Sequence, residues 1–163
     1  MNVFDNIQGT AHVVAESSRL KATTAGHIYD LEMIEDTDNG TIVAVGAHVE
    51  GQVFKAKTYA AGDAPYLVLT PPLAYNGKKA WSDEKYFYNA QGEIARAYEL
   101  CEGDIYTLSA DAFTGSPEVG KFVGADYAAV AEVPASGFVG EIIEEVTYTN
   151  STSYRVIVRS LGV

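Results

Sequence analysis

Along most of this chain, apolar and polar residues alternate in short runs, and turn-forming residues cut the runs at close intervals. From His27 onward Ile28, Asp30, Glu32 and Ile34 share one parity and Tyr29, Leu31 and Met33 the other, the pattern of a strand with one apolar face. Glu35-Asp36-Thr37-Asp38-Asn39-Gly40 follows, and then Thr41-Ile42-Val43-Ala44-Val45. Asn-Gly between two such runs predicts a hairpin, because a type I′ turn needs positive φ at both central residues. Further strands are expected around residues 48–57 and 66–69. Ala60-Ala61-Gly62-Asp63-Ala64-Pro65 separates them, and Pro71-Pro72 closes the second.

Residues 86–113 carry the densest fold information. Three short alternating runs are separated by Asn89-Ala90-Gln91-Gly92 and by Cys101-Glu102-Gly103-Asp104, which predicts strands joined by tight turns. A helix competes for the middle run, since residues 95–101 are mostly good helix formers. The ten residues between Gly92 and Gly103 are short for a helix and usual for a strand, so the strand is preferred. Beyond Thr114-Gly115-Ser116-Pro117 come short apolar pieces at 119–123 and 128–133. Residues 138–149 and 154–159 then form an expected final hairpin around Asn150-Ser151-Thr152-Ser153. In its second strand Tyr154, Val156 and Val158 share one face, with Arg155 and Arg159 on the other.

No run sustains a long helical stripe, and β-branched and aromatic residues are frequent among 15 glycines. The expected class is all-β: one compact β-barrel or β-sandwich domain over residues 26–163, preceded by an N-terminal arm, residues 1–25. In that arm Phe4, Ile7, Val13 and Val14 lie scattered among polar residues, too sparse for a core of their own. A helix over residues 11–21 would have to carry Ser17-Ser18. Two readings stand: an arm that orders against a neighbouring chain, and a frayed end or edge strand of the domain itself. On the first reading the four apolar residues, with Arg19 and Lys21, contact a partner.

Composition narrows the function. Eleven Lys and Arg against 22 Asp and Glu give a net charge of −11 over 163 residues, and the basic cluster that a nucleic-acid backbone requires is missing. The same acidity opposes adhesion to anionic membranes. With 47% hydrophobic residues a core forms without metals, and the single Cys101 has no partner for an internal disulfide. Met1-Asn2-Val3-Phe4-Asp5-Asn6 lacks the basic start and apolar core of a signal peptide, and no run is long enough to predict a membrane helix. Synthesis in a reducing cytoplasm is expected, with Asn150-Ser151-Thr152 serving as turn chemistry instead of a glycosylation site.

Candidate chemistry is thin. His12, His27 and His48 sit in separate segments without metal-ligand spacing, and no nucleophile elbow, phosphate loop or dinucleotide fingerprint occurs. Glu102 beside Cys101 raises the thiol pKa instead of activating it. Glu144 and Glu145 point to opposite faces of a strand and cannot share a substrate. Aligning Gly40 with the glycine of an EF-hand loop leaves Thr37 and Gly46 where oxygen ligands are required, so residues 36–39 are expected to be a solvated turn. Trp81, Tyr86, Phe87 and Tyr88 read as sheet and core packing, with an aromatic platform for sugars or bases as the alternative. No catalytic residue, cofactor or metal is expected.

One resemblance goes further. Asp36-Thr37-Asp38-Asn39-Gly40-Thr41-Ile42-Val43, then Asn89-Ala90-Gln91-Gly92-Glu93-Ile94-Ala95-Arg96-Ala97-Tyr98-Glu99-Leu100, Gly103-Asp104-Ile105-Tyr106 and Val119-Gly120 resemble small virion structural proteins of tailed bacteriophages, the capsid decoration and head proteins. The resemblance covers roughly residues 26–123 and carries no catalytic residue. It implies a non-enzymatic protein on the virion head surface, bound to the lattice of the major capsid protein, as a homo-oligomer such as a trimer. Other virion parts (a head fibre base, a tail tube or a connector protein) are the alternative within the resemblance. A carbohydrate-binding β domain is the alternative outside it.

Overall fold

The structure, a computed structural model, describes residues 12–71, 87–148 and 151–162. It is all-β, built from a closed five-stranded barrel and a six-stranded antiparallel sheet packed against it. The strands are β1 (Ala15–Arg19), β2 (Ile28–Glu32), β3 (Ile42–Glu50), β4 (Val53–Thr58), β5 (Tyr66–Val68) and β6 (Ile94–Glu99). They continue as β7 (Ile105–Ser109), β8 (Phe122–Val123), β9 (Ala129–Val130), β10 (Val139–Tyr148) and β11 (Ser151–Ser160). One five-residue helix, α1 (Lys21–Ala25), links β1 to β2 and ends on Gly26 at φ 73°.

The barrel closes in the order β2-β4-β3-β5-β6, with β2 parallel to β4 and antiparallel to β6. Its interior holds Leu31, Met33, Val43, Ala56, Tyr66, Val68, Ala95 and Ala97. The small residues on β4 and β6 leave room for Leu31, Met33 and Tyr66 inside so narrow a ring. The sheet runs β1-β7-β11-β10-β8-β9. Its core joins Tyr106, Leu108, Phe138, Ile142, Val156 and Val158 to Ile42, Leu67 and Leu100 from the barrel wall. β5, and β3 over its first three residues, are therefore buried on both faces: Ile42 and Leu67 face the sheet, while Val43, Tyr66 and Val68 face the barrel lumen. That explains why Ile42-Val43-Ala44-Val45 and Tyr66-Leu67-Val68 are unbroken apolar runs.

Several sequence expectations change here. Asn39-Gly40 does not tip a hairpin, because β2 and β3 are not neighbours; β4 lies between them in the barrel. Asn39 is buried instead, with its amide nitrogen donating to the Thr70 carbonyl (2.9 Å) and its amide oxygen accepting from the Thr70 N–H (3.0 Å) and from Asn89 Nδ2 (3.1 Å). The true hairpin in this region turns at Gly51-Gln52, inside the stretch expected as one strand at 48–57, and joins β3 to β4. Cys101-Glu102-Gly103-Asp104 does not make a hairpin either; it carries the chain from the barrel strand β6 to the sheet strand β7. Buried Asp104 organises that crossing, accepting from the Cys101 N–H (2.8 Å) and, from outside the turn, the Lys21 N–H (3.0 Å). The middle run, 94–99, is a strand and not a helix, and β10 and β11 form the expected final hairpin.

The stretch expected as an arm divides. Residues 1–11 lie outside the description, whereas β1 pairs with β7 and both Leu20 and Ala22 are buried. The second half of residues 1–25 thus belongs to the sheet, which is the edge-strand reading of that segment.

Candidate functional site

Two of the segments that carried the resemblance, residues 36–43 and 89–100, meet at the end of the barrel that faces the sheet. The Asp36–Gly40 loop crosses the barrel end, and Thr37 forms an isolated bridge with Asn89, exchanging N–H···O bonds of 2.8 Å in both directions. Asn89 Nδ2 also donates to the Thr37 carbonyl at 3.0 Å, and the Gln91 N–H donates to the Asp36 carboxylate at 2.9 Å. Residues 36–39 are therefore only partly a solvated turn: Thr37 and Asn39 are buried and satisfied, Asp38 is half-buried, and Asp36 is exposed.

The N-terminal segment is clamped across this joint. His12 Nδ1 lies 2.6 Å from Asp38 Oδ1, and its ring stacks on Tyr88 with centroids 4.8 Å apart. The Val13 N–H reaches the other Asp38 oxygen at 3.4 Å. The Val14 N–H donates to Ser109 Oγ (3.0 Å), and the Ser109 N–H returns a bond to the Val14 carbonyl (2.9 Å). An open cleft of about 630 Å³ lies beside the clamp, lined by His12, Glu35, Asp36, Asp38, Thr41 and Tyr88. Its chemistry is that of a charged latch: one imidazole held between a carboxylate and an aromatic ring, among further acids.

The expected partner contacts now have places. Phe4 and Ile7 lie outside the described residues. Val13 and Val14 are half-buried, and Val13 packs on the sheet core. Arg19 is exposed but folds back to donate to the Gly103 carbonyl at 2.9 Å. Lys21 is exposed at its side chain while its N–H is held by Asp104. Val13, Val14, Arg19 and Lys21 thus share one edge of the molecule, and all four also make contacts within the protein's own fold. β1 is the terminal strand of the sheet, and among the described residues no strand pairs with its outer side. Among the described residues β10 is also unpaired on its β8 side past Ile142, while its pairing with β11 continues to Tyr148.

The other candidate groups stay apart. His27 Nδ1 lies 2.7 Å from Glu99 Oε2, and His48 Nε2 lies 2.9 Å from the Gly51 carbonyl and packs edge-on against Phe54. Cys101 is half-buried, and burial, followed by the Asp104 carboxylate, pushes its thiol up from the ordinary value. Glu144 pairs with Arg155, and Glu141 with Arg159 at 2.7 Å, across the β10–β11 ladder. Among the described residues no group of three or more His, Cys, Asp or Glu side chains is placed to hold a metal ion. Trp81 and Tyr86, from the expected aromatic platform, lie outside the description; Tyr88 is the ring beneath His12. The His12–Asp38 latch was not legible in the sequence, since 26 positions separate the two and His12 sits in no recognisable motif.

No family model, curated protein or solved structure matches this chain.

Proposed function

We propose that this chain is a non-enzymatic structural protein of a tailed-bacteriophage particle, and specifically a decoration protein of the head that binds the assembled capsid lattice as a homo-oligomer. One observation carries the reading. Two of the four segments on which the resemblance rests, residues 36–43 and 89–100, meet at the barrel–sheet joint, where Thr37, Asn39 and Asn89 bond one another. The likeness therefore lies in residues that set the architecture and not in incidental turns.

Charge and edge geometry fit the same role. A net charge of −11 suits an outer surface in water. The side of β1 away from β7, with which no strand pairs among the described residues, is an arrangement from which a chain attaches to a neighbour by strand addition. Repetition over a symmetric lattice makes modest single contacts sufficient.

Negative-stain microscopy of purified particles, labelled with an antibody raised against the chain, tests the assignment. Label over the heads is expected. Label confined to tails or to the neck would favour a tail or connector protein, and unlabelled particles would contradict a virion role.

A further inference from the structure

In the barrel β2 lies between β4 and β6, and its side chains divide by parity. Tyr29, Leu31 and Met33 pack inward with Phe54, Ala56, Ala95 and Ala97. Ile28, Asp30 and Glu32 therefore face outward, together with Lys55 on β4 and with Ile94 and Arg96 on β6. The register sets Asp30 opposite Arg96, and Glu32 between Lys55 and Ile94. We propose that this outer barrel face is a two-fold contact between two copies of the chain.

The face leaves apolar surface in water. Ile94 is 57% exposed, and Ile28 and Ile34, of the same parity as Asp30, are exposed too. The β2–β6 ladder runs on to Ile34's neighbour Met33, whose N–H donates to the Glu93 carbonyl at 2.9 Å. These isoleucines are three of the eight large apolar side chains exposed among the described residues. Contact here covers area that the single chain cannot bury.

Charge selects the occupant. The chain carries −11, so most ways of bringing two copies together set acid against acid. This face is balanced, with Asp30 and Glu32 against Lys55 and Arg96. Elsewhere Lys57 reaches Asp63, Lys121 reaches Glu118, Arg155 reaches Glu144 and Arg159 reaches Glu141. Among the described residues none of the four charged groups on the barrel face has a side-chain partner, although they stand opposite one another across the strands. An isologous contact presents one patch twice, and each group that meets another is met by it in return. A patch with equal acids and bases is complementary to itself in that arrangement. A wholly acidic partner would suit Lys55 and Arg96 but be repelled by Asp30 and Glu32, and a basic partner the reverse. The contact specifies the homo-oligomer of the virion reading. It is tested on the free chain, so its failure leaves capsid binding standing, and unlabelled particles leave this contact standing.

Sedimentation velocity on the full chain, from about 1 μM to about 500 μM, spans the affinities of modest interfaces. The parent should pass reversibly from monomer to dimer, or to an even-numbered assembly built on it. Ile94→Asp should weaken association by about tenfold or more, the loss of one buried isoleucine per copy. Two further variants read the charges. Asp30→Lys with Glu32→Lys makes the face wholly basic, and Lys55→Glu with Arg96→Glu makes it wholly acidic. Each alone should stay monomeric while still melting cooperatively, since all four side chains lie outside the core. Mixed in equal amounts, the two should form a heterodimer. The basic-face variant mixed with the parent, which keeps every other acidic surface, should associate less. The proposal is overturned by a parent that stays monomeric throughout, by association that Ile94→Asp leaves unchanged, or by a mixture of the two face variants no more associated than the basic-face variant with the parent.

Discussion

The Tyr127 hydroxyl donates a hydrogen bond to the Gly40 carbonyl at 2.6 Å, across 87 positions of chain. Tyr127 belongs to the loop between β8 and β9 in the sheet, and Gly40 lies on the approach to barrel strand β3. Its oxygen is also 3.0 Å from the hydroxyl of Tyr106 on β7. Both tyrosines are buried. This short polar chain ties barrel to sheet at the place where Asn39 and Asn89 tie the loops, and Tyr127 holds φ at 56° to reach it.

Tyr127→Phe keeps the ring and removes the link. It leaves the Gly40 carbonyl buried without this donor, so the expected loss is about 1–3 kcal/mol of unfolding free energy. Urea denaturation followed by fluorescence measures it. A change within error would mean that the barrel–sheet joint does not depend on this bond.

Gly40 is constrained by space as well as by φ. It sits at φ 91°, and a Cβ there would lie 2.4 Å from Leu108 Cδ2, deep in the core shared by barrel and sheet. Gly40→Ala should cost about 1–3 kcal/mol from overpacking, with backbone strain added. Truncating the neighbour separates the two terms. The double variant Gly40→Ala, Leu108→Ala should be less destabilised than the sum of the singles, by more than about 0.5 kcal/mol. Strict additivity would place the whole cost in the backbone.

Much of this architecture was legible in the sequence, and the failures share a cause. The β6 strand and the β10–β11 hairpin were readable because their partners or their periodicity are local. Asn39-Gly40 misled because the dipeptide reports only a local turn, whereas β2 finds its partners in β4 and β6 through barrel closure. Gly51 was a turn signal inside a run whose alternation continued through it. The N-terminal residues 15–19 have four exposed positions out of five, so β1 shows no apolar face and its place comes from pairing with β7. The latch of His12 with Asp38 joins residues far apart in sequence, which no spacing rule detects.

The place of β1 changes what a truncation should do. Removing residues 1–25 deletes an edge strand together with buried Leu20 and Ala22. That variant should lose its cooperative thermal transition. Leu20→Ala alone should cost about 2–5 kcal/mol, as for other buried leucines. A Δ1–25 protein that melts like the parent would show that β1 is dispensable to the fold.

Alkaline titration reads the buried tyrosines. Burial, then the Glu99 charge and Tyr29, push Tyr66 up to about 12. Burial raises Tyr106 and Tyr127 further above the ordinary value of 10.0. Each holds its proton more tightly folded than unfolded, so its contribution to stability is complete below pH 10 and is lost as pH rises through the folded value. Absorbance at the tyrosinate band should show these three of the 11 tyrosines ionising late, together with loss of the fold. Complete ionisation near pH 10 with the fold intact would contradict their burial.

The central claim, that this chain is a repeated component of a phage head, is tested most directly by counting it. Quantitative mass spectrometry of purified particles, referenced to the major capsid protein, gives copies per virion. The account predicts a number in proportion to the capsid lattice, on the order of hundreds, as symmetric repetition of one contact requires. A dozen copies or fewer, or none, would contradict it.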